Sequence, residues 1–236
     1  MKTKLISCTL FFLLFGLQFA SGQKKFKYDL PVFDEVSVRN NAVVFLNQDS
    51  VQSVIVEGNE EYINQVFAEV KDGKLVIRYA TDKRLDFNFK PEVLTFHITV
   101  PHIKRLLVSG AGAINSEGPV RCGNLDLYLS GSGSIKLTDL KAAEIHSTLS
   151  GSGHIELSGT DSISENKLII SGSGRINSLG LKAKNVSVIL GGSGNCSVDA
   201  DKTLNVKIAG SGNVSYTGNP TVKSKIIGSG KIIRKN

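Results

Sequence analysis

The chain has no tryptophan, one methionine, five prolines and three cysteines in 236 residues, and only 7% of it is aromatic. Its 24 glycines follow no three-residue period and come without proline enrichment, which excludes a collagen-like triple helix. Disorder is excluded by an apolar share of 41%. The length suffices for one domain, or two small ones, with a core to bury. After the first two dozen residues no stretch approaches the ~18 apolar residues of a membrane-spanning helix. These absences narrow the class of protein but name no chemistry.

The one long apolar run, Leu5 to Phe19, follows the basic head Met1-Lys2-Thr3-Lys4 and precedes the small residues Ala20-Ser21-Gly22. That order predicts a secretory signal peptide over 1–22, cut before Gln23. The lipobox-like Leu5-Ile6-Ser7-Cys8 precedes the apolar run instead of following it, so no lipid anchor is expected. The expected location is outside the cytoplasm: periplasm, outer-membrane associated or cell surface. Removing Lys2 and Lys4 leaves 26 bases against 21 acids. The excess lies in 106–236, with fourteen bases and nine acids, and favours an anionic partner if it is more than a solvated surface.

Glycine is placed, not scattered. The second half carries Gly110-Ala111-Gly112-Ala113-Ile114, Gly131-Ser132-Gly133-Ser134-Ile135, Gly151-Ser152-Gly153-His154-Ile155 and Gly172-Ser173-Gly174-Arg175-Ile176. Gly192-Ser193-Gly194-Asn195-Cys196, Gly210-Ser211-Gly212-Asn213-Val214 and Gly228-Ser229-Gly230-Lys231-Ile232 follow, at separations of 21, 20, 21, 20, 18 and 18 residues. A period near 20 in β-type sequence reads as a solenoid with one coil per repeat. Two residues before each first glycine stand Val108, Leu129, Leu149, Ile170, Leu190, Ile208 and Ile226, with mainly polar residues at Asp126, His146, Lys167, Ser187, Asn205 and Lys223 three positions earlier still. This period-two alternation puts apolar residues inside and polar ones outside.

The predicted fold is therefore all-β: a single-stranded, parallel β-helix-like solenoid whose coils run strand, Gly-Ser-Gly corner, strand and looser connection. An antiparallel barrel with Gly-Ser-Gly hairpin loops is the competing arrangement. In a parallel stack Cys122 and Cys196 lie about three coils, or ~14 Å, apart. A disulfide needs α-carbons within about 7 Å, so none is expected.

Residues 26–108 hold strand-like runs without the glycine mark, with a short helix expected over Glu60 to Phe67, a hairpin turn at Lys71-Asp72-Gly73-Lys74 and a loop from Asp82 to Pro91. No linker divides the halves. We therefore expect an irregular solenoid part or cap over 23–108, continuous with the regular repeats of 109–236 in one domain.

The export signal, a strand-rich first half closing on Thr99-Val100-Pro101, and the repeated Gly-Ser-Gly-x-Ile together resemble the head GIN domain family of autotransporter adhesins. The resemblance covers about residues 33–232. It implies a β-helix-like fold and a role in adhesion outside the cytoplasm, and brings no catalytic motif with it.

A search for chemistry gives little. The histidines at 97, 102, 146 and 154 lack zinc-helix spacing, and Cys196 stands where a calcium nonapeptide would need aspartate. No phosphate loop or nucleophile elbow is complete. A polysaccharide-active enzyme needs converging carboxylates, for which Asp126, Asp139 and Glu156 would have to meet. Neither enzymatic activity nor a cofactor, a metal or a nucleic-acid partner is expected. The remaining function is binding: a cell-surface glycan, an envelope component or another protein, held by an adhesin or scaffold. The alternative is a periplasmic module for a small, lipid-like or anionic glycan ligand, in a pocket lined by Phe87, Phe89 and Phe96. Candidate contacts are Tyr128, Ile169 and Ile189, an apolar patch three residues before the corners, and His154, Arg175 and Lys231, in the variable slot after them.

Overall fold

A computed structural model describes residues 23–79 and 92–235. The predicted signal peptide, the loop over 82–91 and the side chains of Phe87 and Phe89 lie outside the described residues.

The second coil shows how the sequence builds the fold. In Asn124–Gly131, Leu125, Leu127 and Leu129 point inward and are buried, while Asp126 and Tyr128 reach the surface. Each such side chain contributes about 1.5–3 kcal/mol by leaving water. The chain then turns at Gly131-Ser132-Gly133 into the short strand Ser134–Leu137, crosses a third side at Leu140–Lys141, and starts the next coil at Glu144–Gly151. Every ladder between successive coils of the repeat is parallel, and beside the corners it is in register: Leu129 faces Val108 on one side and Leu149 on the other, and Ile135 lies between Ile114 and Ile155. Farther from the corners the register shifts, between Glu156 and Ser158, between Ser178 and Lys182, and between Ala183 and Asn185. The parallel stack replaces the competing barrel of hairpins. In the later coils the strands run on through the connection, as Arg175–Gly192 and Asn195–Gly210.

The corners explain the glycine pairs. The carbonyl of Gly131 accepts the N–H groups of Ser152 and Gly153, both at 3.0 Å, and that of Gly133 accepts the N–H of His154 at 3.1 Å. Such close stacking leaves no room for a side chain: a β-carbon on Gly151 would stand 2.5 Å from the Gly131 carbonyl oxygen, and its φ of 116° is itself foreign to other residues.

The first half joins the stack out of chain order. Glu35–Val38 pairs in parallel with both Lys74–Tyr79 and Arg105–Gly110, and Val43–Gln48 with both Thr95–Val100 and Ala113–Ser116. The coil of 35–48 is therefore sandwiched between the strands Lys74–Tyr79 and Thr95–Val100 on one side and the first glycine-marked coil on the other. Its corner is closed without glycine, by an Asn40 side chain that accepts the Ala42 N–H at 3.0 Å. Beyond it, Ser53–Gly58 runs antiparallel on Thr95–Val100, Lys24–Tyr28 antiparallel on Ser53–Gly58, and Val66–Lys71 antiparallel on Lys74–Tyr79. The turn of this last hairpin falls at Asp72 and Gly73, both at positive φ, as the sequence predicts.

The helix is shorter than expected. It spans Glu60–Ile63, capped by Asn59, and ends because Val66 and Phe67 are drawn into the hairpin against Tyr79 and Arg78. Phe96 also departs from expectation. It is fully buried between Val44 and Val56, its ring stacked 6.5 Å from Tyr28, and so lines no ligand pocket.

Candidate functional site

The coil has a long side, carrying strands such as Asn124–Gly131, and a short side, carrying strands such as Ser134–Leu137; the Gly-Ser-Gly corner separates them. In-register stacking turns each outward position into a column that rises by one residue per coil, at ~4.8 Å.

On the long side, one column reads Leu107, Tyr128, Thr148, Ile169, Ile189, Lys207, Lys225. Tyr128 and Ile189 are each 40% exposed, and Ile169 is half-buried. Ile169 and Ile189 are adjacent, whereas Thr148 separates them from Tyr128, so the three expected contacts share a column without forming one continuous patch. A groove of about 350 Å³ surrounds Tyr128, lined by Arg39, Leu107, Ser130, Thr148 and Ser150.

The neighbouring column carries charge: Glu35, Arg105, Asp126, His146. The guanidinium of Arg105 donates from Nη1 to Glu35 Oε1 at 2.9 Å and from Nη2 to Asp126 Oδ2 at 3.2 Å. Its hydrogen bond to Asp126, with the negative charges on both sides, raises its pKa above the ordinary arginine value. His146 Nδ1 lies 3.4 Å from the other oxygen of Asp126, and the Arg105 cation sits 6.0 Å from the Tyr128 ring centre.

Across the corner, the variable slot reads Ser134, His154, Arg175, Asn195, Asn213, Lys231. His154 and Arg175 are neighbours in this column, and Lys231 lies three coils further on. A groove of about 460 Å³ runs past Arg175, Asn195, Asn213, Ser215 and Lys235, with no acid in its lining. Amide and hydroxyl ladders floor it: Asn213 Nδ2 reaches Asn195 Oδ1 at 3.5 Å, and the hydroxyls of Ser197 and Ser215 are 2.8 Å apart. Sequence reasoning singled out Arg175 and Lys231 but missed the Asn177–Ser197–Ser215 row beside them. Its signal was present: these residues recur two positions past the variable slot, on the same outward face.

The exposed serines of the corners, Ser132, Ser152, Ser173, Ser193 and Ser211, form a ridge between the two sets of candidates. The structure therefore brings Tyr128, Ile169 and Ile189 to one side of an edge and His154, Arg175 and Lys231 to the other.

The carboxylates do not converge. Asp126 is on the long side. Glu156 is on the short side, 3.3 Å from Lys136 and 3.9 Å from His154, and Asp139 occupies a turn at positive φ. Among the described residues no three of His, Cys, Asp and Glu gather as a metal-holding group. Both described thiols are free, and burial pushes Cys122 up to about 11 and Cys196 up to about 12, so neither is an activated nucleophile. A further groove of about 550 Å³, unseen in the sequence, lies where the long side meets the third, lined by His102, Arg105, Arg121, Cys122 and Asn124 among others. Among the described residues no helix is long and apolar enough to cross a membrane.

The family model described as "Putative auto-transporter adhesin, head GIN domain" matches residues 32–220. Among solved structures the chain is similar to a "putative adhesin" of Bacteroides fragilis, with 20% identity, a TM-score of 0.83, and 92% of this chain and 98% of that one covered. It is also similar to a "putative lipid binding protein" of Parabacteroides distasonis, with 22% identity, a TM-score of 0.72 and the same coverage. A "putative adhesin" of Parabacteroides merdae matches with 21% identity and a TM-score of 0.69, over 91% of this chain and 96% of that one. At these identities the likeness is one of fold. No curated protein matches the chain.

Proposed function

Because the chain belongs to the family described as "Putative auto-transporter adhesin, head GIN domain", we propose that it is an exported, non-enzymatic adhesin or envelope scaffold that meets its target along the outward columns of its coils. One observation carries the reading: the outward side chains repeat once per coil over both sides of the serine ridge, and the acids among them pair with bases instead of converging. Such a surface suits many shallow polar contacts in series. Tyr128, Ile169 and Ile189 are its apolar contacts, and His154, Arg175 and Lys231 its polar ones. In this reading residues 1–22 are removed on export, and 23–108 and 109–236 act as one domain, which their shared sheet supports. The protein then resides in the periplasm, at the outer membrane or on the cell surface.

The test is location. Protease added to intact cells is expected to digest the epitope-tagged protein while a periplasmic control is spared. Protection until the outer membrane is opened would remove adhesion and leave the scaffold.

A second reading, a periplasmic module for an anionic glycan, is favoured by the groove from Arg175 to Lys235, whose polar lining is amides, hydroxyls and bases without an acid, beside the apolar Leu179, Cys196 and Ile233. Dextran sulfate is then expected to bind where neutral dextran does not, and Arg175→Ala to weaken that binding. Equal binding of the two polymers would sink it.

A further inference from the structure

The stack ends differently from how it begins. Among the described residues the coil of Thr221–Ile227 and Lys231–Arg234 pairs only with the coil before it. Its outer edge presents a row of unpaired backbone N–H and C=O groups. Its inward column ends uncovered as well: Val222 and Ile226 are exposed, although Leu204 and Ile208 beneath them are buried.

The balance of charge shifts towards this edge. Elsewhere a base is commonly answered by an acid one coil away: Arg105 by Glu35 and Asp126, Lys136 by Glu156, Lys141 by Asp161, Lys182 by Asp201. Asp201 is the last acid in the sequence, and seven bases follow it. Three outward columns end on lysine, at Lys223, Lys225 and Lys231. Among the described residues none of the three has an acidic partner. In each of these columns, the acid would have to come from the next coil.

We propose that this edge is an acceptor for an acidic β-strand of a partner protein, added in parallel so that its apolar residues cover Val222 and Ile226 and its carboxylates meet the three lysines. The acceptor is the open edge of the stack and not the faces of its sides, with which it shares the terminal lysines Lys223, Lys225 and Lys231. A strand satisfies all three features at once: open backbone groups, uncovered apolar residues and unanswered bases. A second copy meeting this edge with its own would double the unanswered lysines instead of pairing them. An anionic membrane would answer the charge but leave the strand's backbone groups without ladder partners.

The probe is a labelled peptide copying residues 221–233 with Lys223→Glu, Lys225→Glu and Lys231→Glu, titrated against the purified protein. Saturable binding is expected, weakened by salt and stronger by about tenfold or more than for the peptide with lysines retained. Amide exchange should slow over 221–227 in the complex. A protein carrying Lys223→Glu and Lys225→Glu should reverse the preference between the two peptides; both positions are exposed, so the fold should persist. If that variant fails to fold, the salt dependence and the two-peptide comparison still decide. Equal affinity for both peptides, or no saturable binding of either, overturns the proposal and leaves the lysines as guards against edge pairing. Sedimentation of the protein with anionic vesicles in the absence of peptide binding overturns it in favour of a membrane face. A dimer of the unliganded protein that Ile226→Asp dissociates would make a second copy the occupant, and overturns it as well.

Discussion

The two ends of the solenoid solve the same problem in opposite ways. A stack of parallel coils leaves an open edge wherever it stops. At the N-terminal end the chain folds back: Ser53–Gly58 and Lys24–Tyr28 run antiparallel over the terminal coil, and Tyr28 lays its ring over buried Phe96. At the other end nothing among the described residues folds back, and Thr221–Ile227 is exposed throughout. The repeat itself cannot seal an edge, because each coil is built to accept another like it. Sealing takes a change of strand direction, and the sequence changes character to provide it.

The sharpest way to test the difference is to place the same charge in the same inward face at two heights. Ile155 is fully buried between Ile135 and Ile176, so Ile155→Asp should cost more than about 4 kcal/mol and leave the protein unfolded. Ile226→Asp puts the carboxylate on a side chain already 41% exposed and should cost less than about 1 kcal/mol. Urea denaturation of both variants measures the gap. Equal losses would mean that the last coil is as enclosed as the middle ones.

A smaller effect, in the range of about 2–4 kcal/mol, is expected for Gly151→Ala, which combines a positive φ with a collision against the coil below. Gly123→Ala is its control, with nothing within 4 Å of the added carbon, and should stay within about 0.5 kcal/mol. The corner collision always comes from the preceding coil. Gly228→Ala should therefore strain its coil too, yet that coil can open alone. Amide exchange should show local opening of residues 221–234 with the global transition unchanged.

The regular coils were legible because their constraint is local: a corner without room for a β-carbon demands glycine, and the pleat demands alternation. Both leave marks at fixed spacing, so the columns holding Tyr128, Ile189 and Arg175 could be written down before any coordinates. The N-terminal end was not legible in this way. Its coil order depends on Glu35–Val38 finding partners that begin 39 and 70 residues later, at Lys74 and Arg105. Pairing at such range has no periodic signature. The Asn40 corner carries no glycine mark either, since a side chain closes it. The grooves were also hidden, because their linings collect residues from several coils.

Thiols at two depths extend the comparison to pH. Burial raises Cys196 to about 12 and Cys122 to about 11 from an ordinary 9.0, and Tyr79 to about 12 from 10.0. The folded state holds these protons more tightly than the unfolded one. Their stabilising effect is complete below about pH 9 and declines as pH rises towards 12. Thermal melts should therefore be level from pH 7 to 9 and fall steeply above. Cys196→Val restores the aliphatic residue its column carries elsewhere, at Ile176 and Val214, and should make the fall shallower without loss at pH 7. An unchanged slope would assign the alkaline loss to other groups.

The smallest expected effect asks whether inside and outside are correctly assigned within one coil. His154 precedes Ile155 and points the other way, half-exposed between Ser134 and Arg175 in its column. An aspartate there would approach the Arg175 column neighbour favourably and Glu156, two residues along the same face, unfavourably. These exposed interactions are each small and opposite in sign. His154→Asp should thus shift the urea midpoint by no more than about 0.5 kcal/mol, against the unfolding expected one residue later. Comparable losses from the two substitutions would mean that the alternation fails in the middle of the stack, where Ile155 is fully buried and His154 reaches the surface.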